Sequence, residues 1–168
     1  MVNKLMSMSA AERALEEERL IKATNDRRFA QLGQAMQLLF KTDRRKYSIA
    51  SAYLWLWPAV RLNQIVCTTG RSGVWTGYAT WAYFTPEFAT TFVKSDPPFL
   101  HISDWNEGYQ LWILDFVAPL GHARALVSQL RSRLSRDFKE ARHVVRSPDG
   151  NVIGTRILRV PTSTLSHG

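Results

Sequence analysis

Leu111-Trp112-Ile113-Leu114-Asp115-Phe116-Val117-Ala118-Pro119-Leu120-Gly121-His122-Ala123-Arg124-Ala125-Leu126 is the stretch that decides the fold. Its first half, from about Tyr109 to Val117, is the most apolar strand candidate in the chain. Pro119-Leu120-Gly121 breaks the strand, and from Ala123 the residues Leu126, Val127, Leu130 and Leu134 recur at helical spacing. Strand, glycine turn and helix therefore follow one another. Asp115 interrupts the strand with a lone carboxylate, which costs several kcal/mol inside an apolar element unless it is paired or shifted in pKa. Such a group either has a functional use or anchors a neighbouring loop. The turn exposes backbone N–H groups at a helix start, where the dipole favours a phosphate, so Gly121, His122 and Ala123 are candidates for substrate binding. Glycine is also what a strand-to-helix turn needs on conformational grounds alone.

Upstream, Ser9-Ala10-Ala11-Glu12 has the spacing of a capping box and predicts a helix start. Through about Arg28 this helix carries only Leu15, Leu20 and Ile21 as a thin apolar stripe. From Phe29 the residues Leu32, Ala35, Met36, Leu39 and Phe40 follow the helical repeat and should pack on the core. Lys41 to Lys46 reads as a charged loop or helix end. A helical or mixed segment is expected from Ser48 to Trp57, ended by Pro58. Val60 to Thr68 and Val74 to Phe84 then predict two antiparallel strands around Gly70-Arg71-Ser72-Gly73. Pro86 to Val93 predicts a short helix with Thr85 as its cap, followed by a loop at Lys94 to Pro98. Downstream, Ala141 to Arg146 and Asn151 to Val160 flank the turn Ser147-Pro148-Asp149-Gly150 and predict a closing hairpin.

With 168 residues, 45% of them apolar and 11% aromatic, the chain is expected to form one main globular domain. No apolar run approaches the roughly 20 residues that cross a bilayer, and Glu12, Glu16, Glu17 and Glu18 stand where a signal peptide needs an apolar stretch. A cytoplasmic location is the expectation. The single cysteine, Cys67, excludes an internal disulfide and reads as a small buried hydrophobe. His101, His122, His143 and His167 show no paired metal spacing, so no metal is expected.

The net charge of +8 is unevenly spread. From Gly121 onward nine basic residues face three acidic ones, which makes the C-terminal third a basic surface suited to an acidic partner. Nucleic acid, anionic lipid and an acidic carrier protein all meet that description. No nucleic-acid-binding motif accompanies the charge, and no stacking platform lies near the arginines, so no nucleic acid is expected as partner.

Taken together, Leu32-Gly33, Pro58-Ala59-Val60-Arg61-Leu62-Asn63-Gln64, Ala79-Thr80-Trp81-Ala82, Asp104-Trp105 and above all Leu111 to Gly121 resemble the toxin-activating lysine acyltransferases that mature RTX hemolysins. The resemblance runs from about Leu32 to Val160. It implies an α+β fold with a mostly antiparallel central sheet flanked by helices, related to the Gcn5-like N-acetyltransferases, and a homodimer. It also implies transfer of a fatty acyl group from acyl-ACP, through its phosphopantetheine thioester, to internal lysines of an RTX-type protoxin. The division expected is a helical extension at 1–30, an acyltransferase-like domain at 31–161 and a flexible tail at 162–168.

Carried onto this chain, the family's catalytic aspartate falls on Asp115. Its essential histidine falls on Arg44, with Thr42 near the family's serine. A guanidinium stays protonated near neutral pH and cannot deprotonate a lysine ammonium. Three alternatives stay open: Asp115 supplies the base with Arg44 orienting it or binding an anion, another histidine has moved in, or transfer has been lost. In the last case the chain would be a carrier-binding or protein-binding module with Arg44 salt-bridged to Asp115. Arg124, Arg131 and Arg133 are the expected carrier-binding residues.

Overall fold

The computed structural model describes residues 9–46, 48–94, 100–134, 137–146 and 152–159. The expected loop at Lys94 to Pro98 and turn at Ser147 to Gly150 fall wholly or largely outside the described residues, as does the expected tail.

Helix α1 spans Ala10–Leu39 without interruption. Its capping box is formed in both directions: Ser9 Oγ accepts from the Glu12 amide, and the Glu12 carboxylate accepts from the Ser9 amide at 2.7 Å. The hydrogen bond from the Ser9 amide, and then the Ser9 hydroxyl, hold the Glu12 carboxyl below its ordinary pKa. Leu15, Leu20, Ile21 and Phe29 are exposed, whereas Ala35, Leu38 and Leu39 are buried in the core with Leu32 and Met36 packed against them; Phe40, expected on the core, is exposed. The two textures read in the sequence are thus two halves of one helix, the first outside the core and the second in it.

A 3-10 turn at Asp43–Lys46 leads to helix α2, Ile49–Arg61, which Ser48 caps by accepting from the Ser51 amide at 3.0 Å. Pro58 does not end this helix. The amide that proline lacks would have bonded the carbonyl of Leu54, a residue on the exposed side, while Leu56, Ala59 and Val60 beyond it are buried. Burial of that face keeps the helix going to Arg61. Trp57 stacks between Phe29 and Tyr53, at 5.6 and 5.7 Å between ring centroids, and fastens α2 along α1. The first strand consequently starts later than the expected Val60, after Asn63 has taken a left-handed φ of 56°.

Strands β1 (Ile65–Thr69) and β2 (Trp75–Phe84) form the antiparallel hairpin, with Gly73 at φ 77° in its turn. Helix α3, Pro86–Lys94, follows with the Phe88 amide bonded to Thr85 Oγ1 at 3.1 Å. Then come β3 (Gln110–Val117), helix α4 (Ala123–Leu134), β4 (Glu140–Arg146) and β5 (Val152–Arg159). The sheet order is β1-β2-β3-β4-β5, antiparallel throughout except for β3 and β4, which α4 connects in parallel. The α+β class with a mostly antiparallel sheet and an N-terminal helix is therefore what the chain adopts.

Helices α1, α2 and α3 cover one face over Tyr78, Ala82, Phe84, Trp112 and Val117. The other face joins Trp81, Leu111, Ile113 and Ala141 to Leu134 of α4. Being covered on both sides, β2 is buried at every position except Tyr83.

Candidate active site

Two local irregularities build the site. The first lies on β3. Thr80 pairs with Asp115 but its neighbour Trp81 pairs with Ile113, so Leu114 is an extra residue, a β-bulge. Regular alternation would put Ile113 and Asp115 on the same face. The bulge parts them: Ile113 joins the cluster under α4, while Asp115 turns to the α1 and α2 side beside Tyr78.

The second irregularity is the parting of β3 and β4. Their register holds only at Trp112↔Arg142 and Ile113↔His143, although β3 continues to Val117 and β4 to Arg146. A groove of about 680 Å³ opens there. Val127, Leu130 and Leu134 of α4 supply one apolar wall, and Ile157 and Leu158 of β5 supply another. Among the described residues, Arg44, Asp115, Arg131, His143 and Arg159 are its charged or titratable lining.

Asp115 is 3% exposed. Its Oδ1 accepts a charged hydrogen bond from Arg44 Nη1, and Tyr78 Oη donates to Oδ2 at 3.4 Å. The cost of burying the carboxylate is offset by this guanidinium, which remains about one-third exposed. Burial first, and then the negative charge of Asp115, push the Tyr78 phenol far above its ordinary pKa. Tyr78 is therefore a neutral donor.

Thr42 acts on the backbone that delivers Arg44. Its hydroxyl donates to the Leu39 carbonyl at 2.8 Å, closing the end of α1, and accepts from the Arg44 amide at 3.2 Å. It is not among the groove-lining residues. Gly121, with φ 81°, His122 and Ala123 are exposed at the start of α4, one turn before Val127 enters the groove, and they do not line it. Of the three arginines expected to meet a carrier, Arg131 lines the groove and Arg124 is exposed outside it. Arg133 instead borders a smaller polar pocket of about 200 Å³ with Gln64, Asn106 and Asp137. Burial alone pushes the Cys67 thiol up, away from a reactive thiolate.

His143 belongs to the groove, and its position in the sequence does not single it out. It lies 28 positions from Asp115 on a strand whose pairing with β3 is set by the α4 crossover. Only knowledge that β3 and β4 are parallel neighbours, in register at Ile113↔His143, brings the two residues to one cavity.

Sequence similarity to known proteins spans most of the chain. RTX-II toxin-activating lysine-acyltransferase ApxIIC of Actinobacillus pleuropneumoniae is 32% identical over 114 residues, 67% of this chain and 70% of that protein. Lysine-acyltransferase RtxC of Vibrio cholerae is 30% identical over 90 residues, 54% of this chain and 58% of its own. The uncharacterized protein sll0720 of Synechocystis matches over 142 residues at 25% identity, 83% of this chain and 92% of its own length. The profile of the RTX toxin acyltransferase family, HlyC, matches residues 24–161, from the middle of α1 to just past β5 and so including the bulge, the diverging strands and both partners of the Arg44–Asp115 pair. The chain belongs to the RTX toxin acyltransferase family.

Proposed function

We propose that this chain is a protein lysine acyltransferase that moves a fatty acyl group from the phosphopantetheine thioester of acyl-ACP to internal lysines of an RTX-type protoxin. The observation that carries the reading is the buried Asp115, turned by the Leu114 bulge toward Tyr78 and Arg44 at the side of an apolar groove between diverging strands. A groove with aliphatic walls suits an acyl chain, and a polar pair at its side suits the amine and thioester that must meet there. Asp115 and Arg44 act as a unit: the guanidinium, in the place of the family's histidine, pairs with the carboxylate and fixes its orientation. Arg131, Arg159 and the exposed Arg124 supply positive charge for an acidic carrier, and the exposed start of α4 at Gly121 to Ala123 meets the phosphate of the arm.

In this reading residues 31–161 are the transferase domain, 1–30 an extension and 162–168 a tail, working in the cytoplasm as a homodimer on a scaffold of the Gcn5-like type. No metal takes part. Co-expression with a protoxin and an acyl carrier protein, followed by intact-mass measurement of the protoxin, tests it. A fatty acyl mass gain that depends on this chain is expected, and an unmodified protoxin with every donor tried would refute it.

One observation favours a second reading. The Arg44 guanidinium already occupies the Asp115 carboxylate, as it would in a non-catalytic family member that binds an acylated carrier. That member would bind acyl-ACP without turning it over.

A further inference from the structure

We infer that His143 accepts the proton of the acceptor lysine, taking the role that arginine at position 44 cannot fill. The inference rests on the acyltransferase reading above. Transfer needs a neutral amine, and among the described residues the titratable ones lining the groove are Arg44, Asp115, Arg131, His143 and Arg159. Guanidinium groups do not accept protons near neutral pH. Asp115 is engaged on both oxygens, by Arg44 and by Tyr78. Imidazole remains, and it is the side chain whose ordinary titration lies in the working range.

The geometry also assigns the tautomer. His143 Nδ1 lies 3.2 Å from the Val144 carbonyl oxygen, which can only accept, so Nδ1 carries the hydrogen. In the neutral ring the lone pair is then on Nε2. His143 stands where β3 and β4 part, on the α4 side with Ala141, while Asp115 faces the gap from the other side; both line the same groove. Among the described residues, the charged groups around His143 are Asp115 of β3, Arg44 of the 3-10 turn, Arg131 of α4, Arg159 of β5 and Arg156 of β5, which pairs with His143 across the two strands. Glu140 and Arg142 stand on β4 itself.

Nε2 takes one proton from the lysine ammonium and later releases it to solvent. The neutral amine attacks the thioester carbonyl, the C–N bond forms and the C–S bond breaks. The departing thiolate takes the second proton lost by nitrogen, giving amide and thiol.

The test compares pH profiles of kcat/KM for the full-length wild type and His143→Gln, with myristoyl- and palmitoyl-ACP as donors and an RTX protoxin as acceptor. Wild-type kcat/KM is expected to rise with pH and then level off. In His143→Gln it should fall about 10²-fold or more near neutral pH and climb with pH without levelling. His143→Ala should be rescued by added imidazole, which keeps the test open if the glutamine variant folds poorly. Transfer by the wild type together with an unchanged rate and profile in His143→Gln would overturn this inference and leave the acyltransferase reading standing. Absence of transfer by the wild type would overturn both.

Discussion

Arg44 and Asp115, 71 positions apart in the chain, meet as an ion pair whose carboxylate is buried and whose guanidinium reaches partly into solvent. The pair joins the turn after α1 to the middle of β3. Asp115→Asn removes the charge but keeps the shape, so transfer should fall at least 10²-fold while the fold survives. The loss of the charge-assisted bond should lower stability by about 1–3 kcal/mol. Intact-mass assays and urea unfolding measure the two effects separately, and wild-type transfer by this variant would remove Asp115 from the chemistry.

Arg44→His distinguishes a rebuilt site from a damaged one. One imidazole cannot reproduce a five-donor fork, so the variant should lose tenfold or more in transfer. Arg44→Lys should retain more activity than Arg44→His, since it preserves the positive charge beside Asp115. A rise in lysine acylation with Arg44→His would mean that arginine merely stands where a base is wanted.

Tyr78 gives a signature in stability against pH. Its folded-state pKa is raised by burial and by Asp115, so the folded protein keeps the phenol neutral where the unfolded chain ionises it. That contribution is fully present below the unfolded value of about 10 and shrinks as pH rises above it. Urea midpoints between about pH 9 and 11 should fall for the wild type and fall less for Tyr78→Phe. Equal slopes would mean that the phenol is not protected.

Reversing Arg131 to Glu should slow association with an acidic acyl carrier, most strongly at low salt, since exposed charges are screened over roughly 10 Å at 0.1 M ionic strength. Stopped-flow association rates at two ionic strengths check this. A rate that is unchanged at low salt would confine Arg131 to its place in the groove wall.

Gly108 is fixed by sterics. A Cβ there would overlap the carbonyl of Phe84, while the Gly108 amide bonds the Tyr83 carbonyl at 2.9 Å. Gly108→Ala should cost about 1–3 kcal/mol or more, lowering Tm by several degrees in a chain of this length. A thermal melt matching the wild type would show that the loop can move aside.

These positions differ in how far the sequence announces them. The capping box at Ser9 and Glu12, the hairpin glycines, Thr85 and the strand, turn and helix around Gly121 depend on local backbone chemistry, and residue type reveals them. Pro58 shows where local rules end: burial of Leu56, Ala59 and Val60 outweighs one missing amide, and no short-range pattern carries that information. Asp115 stands out because a carboxylate in an apolar strand is conspicuous. The Leu114 bulge that turns it toward Tyr78 is a property of pairing between strands, and so is the presence of His143 in the groove.

Helix α1 has no break between its exposed and its buried half. At about 1.5 Å per residue its 30 residues make a rod of about 45 Å. The rod ends at Leu39, and the Thr42 hydroxyl ties that end to the backbone of Arg44. One unbroken helix thus runs from the capping box at Ser9 to the turn that holds Arg44 against Asp115. Cutting the chain at residue 30 would therefore sever this helix in mid-length and leave the new end without its serine cap.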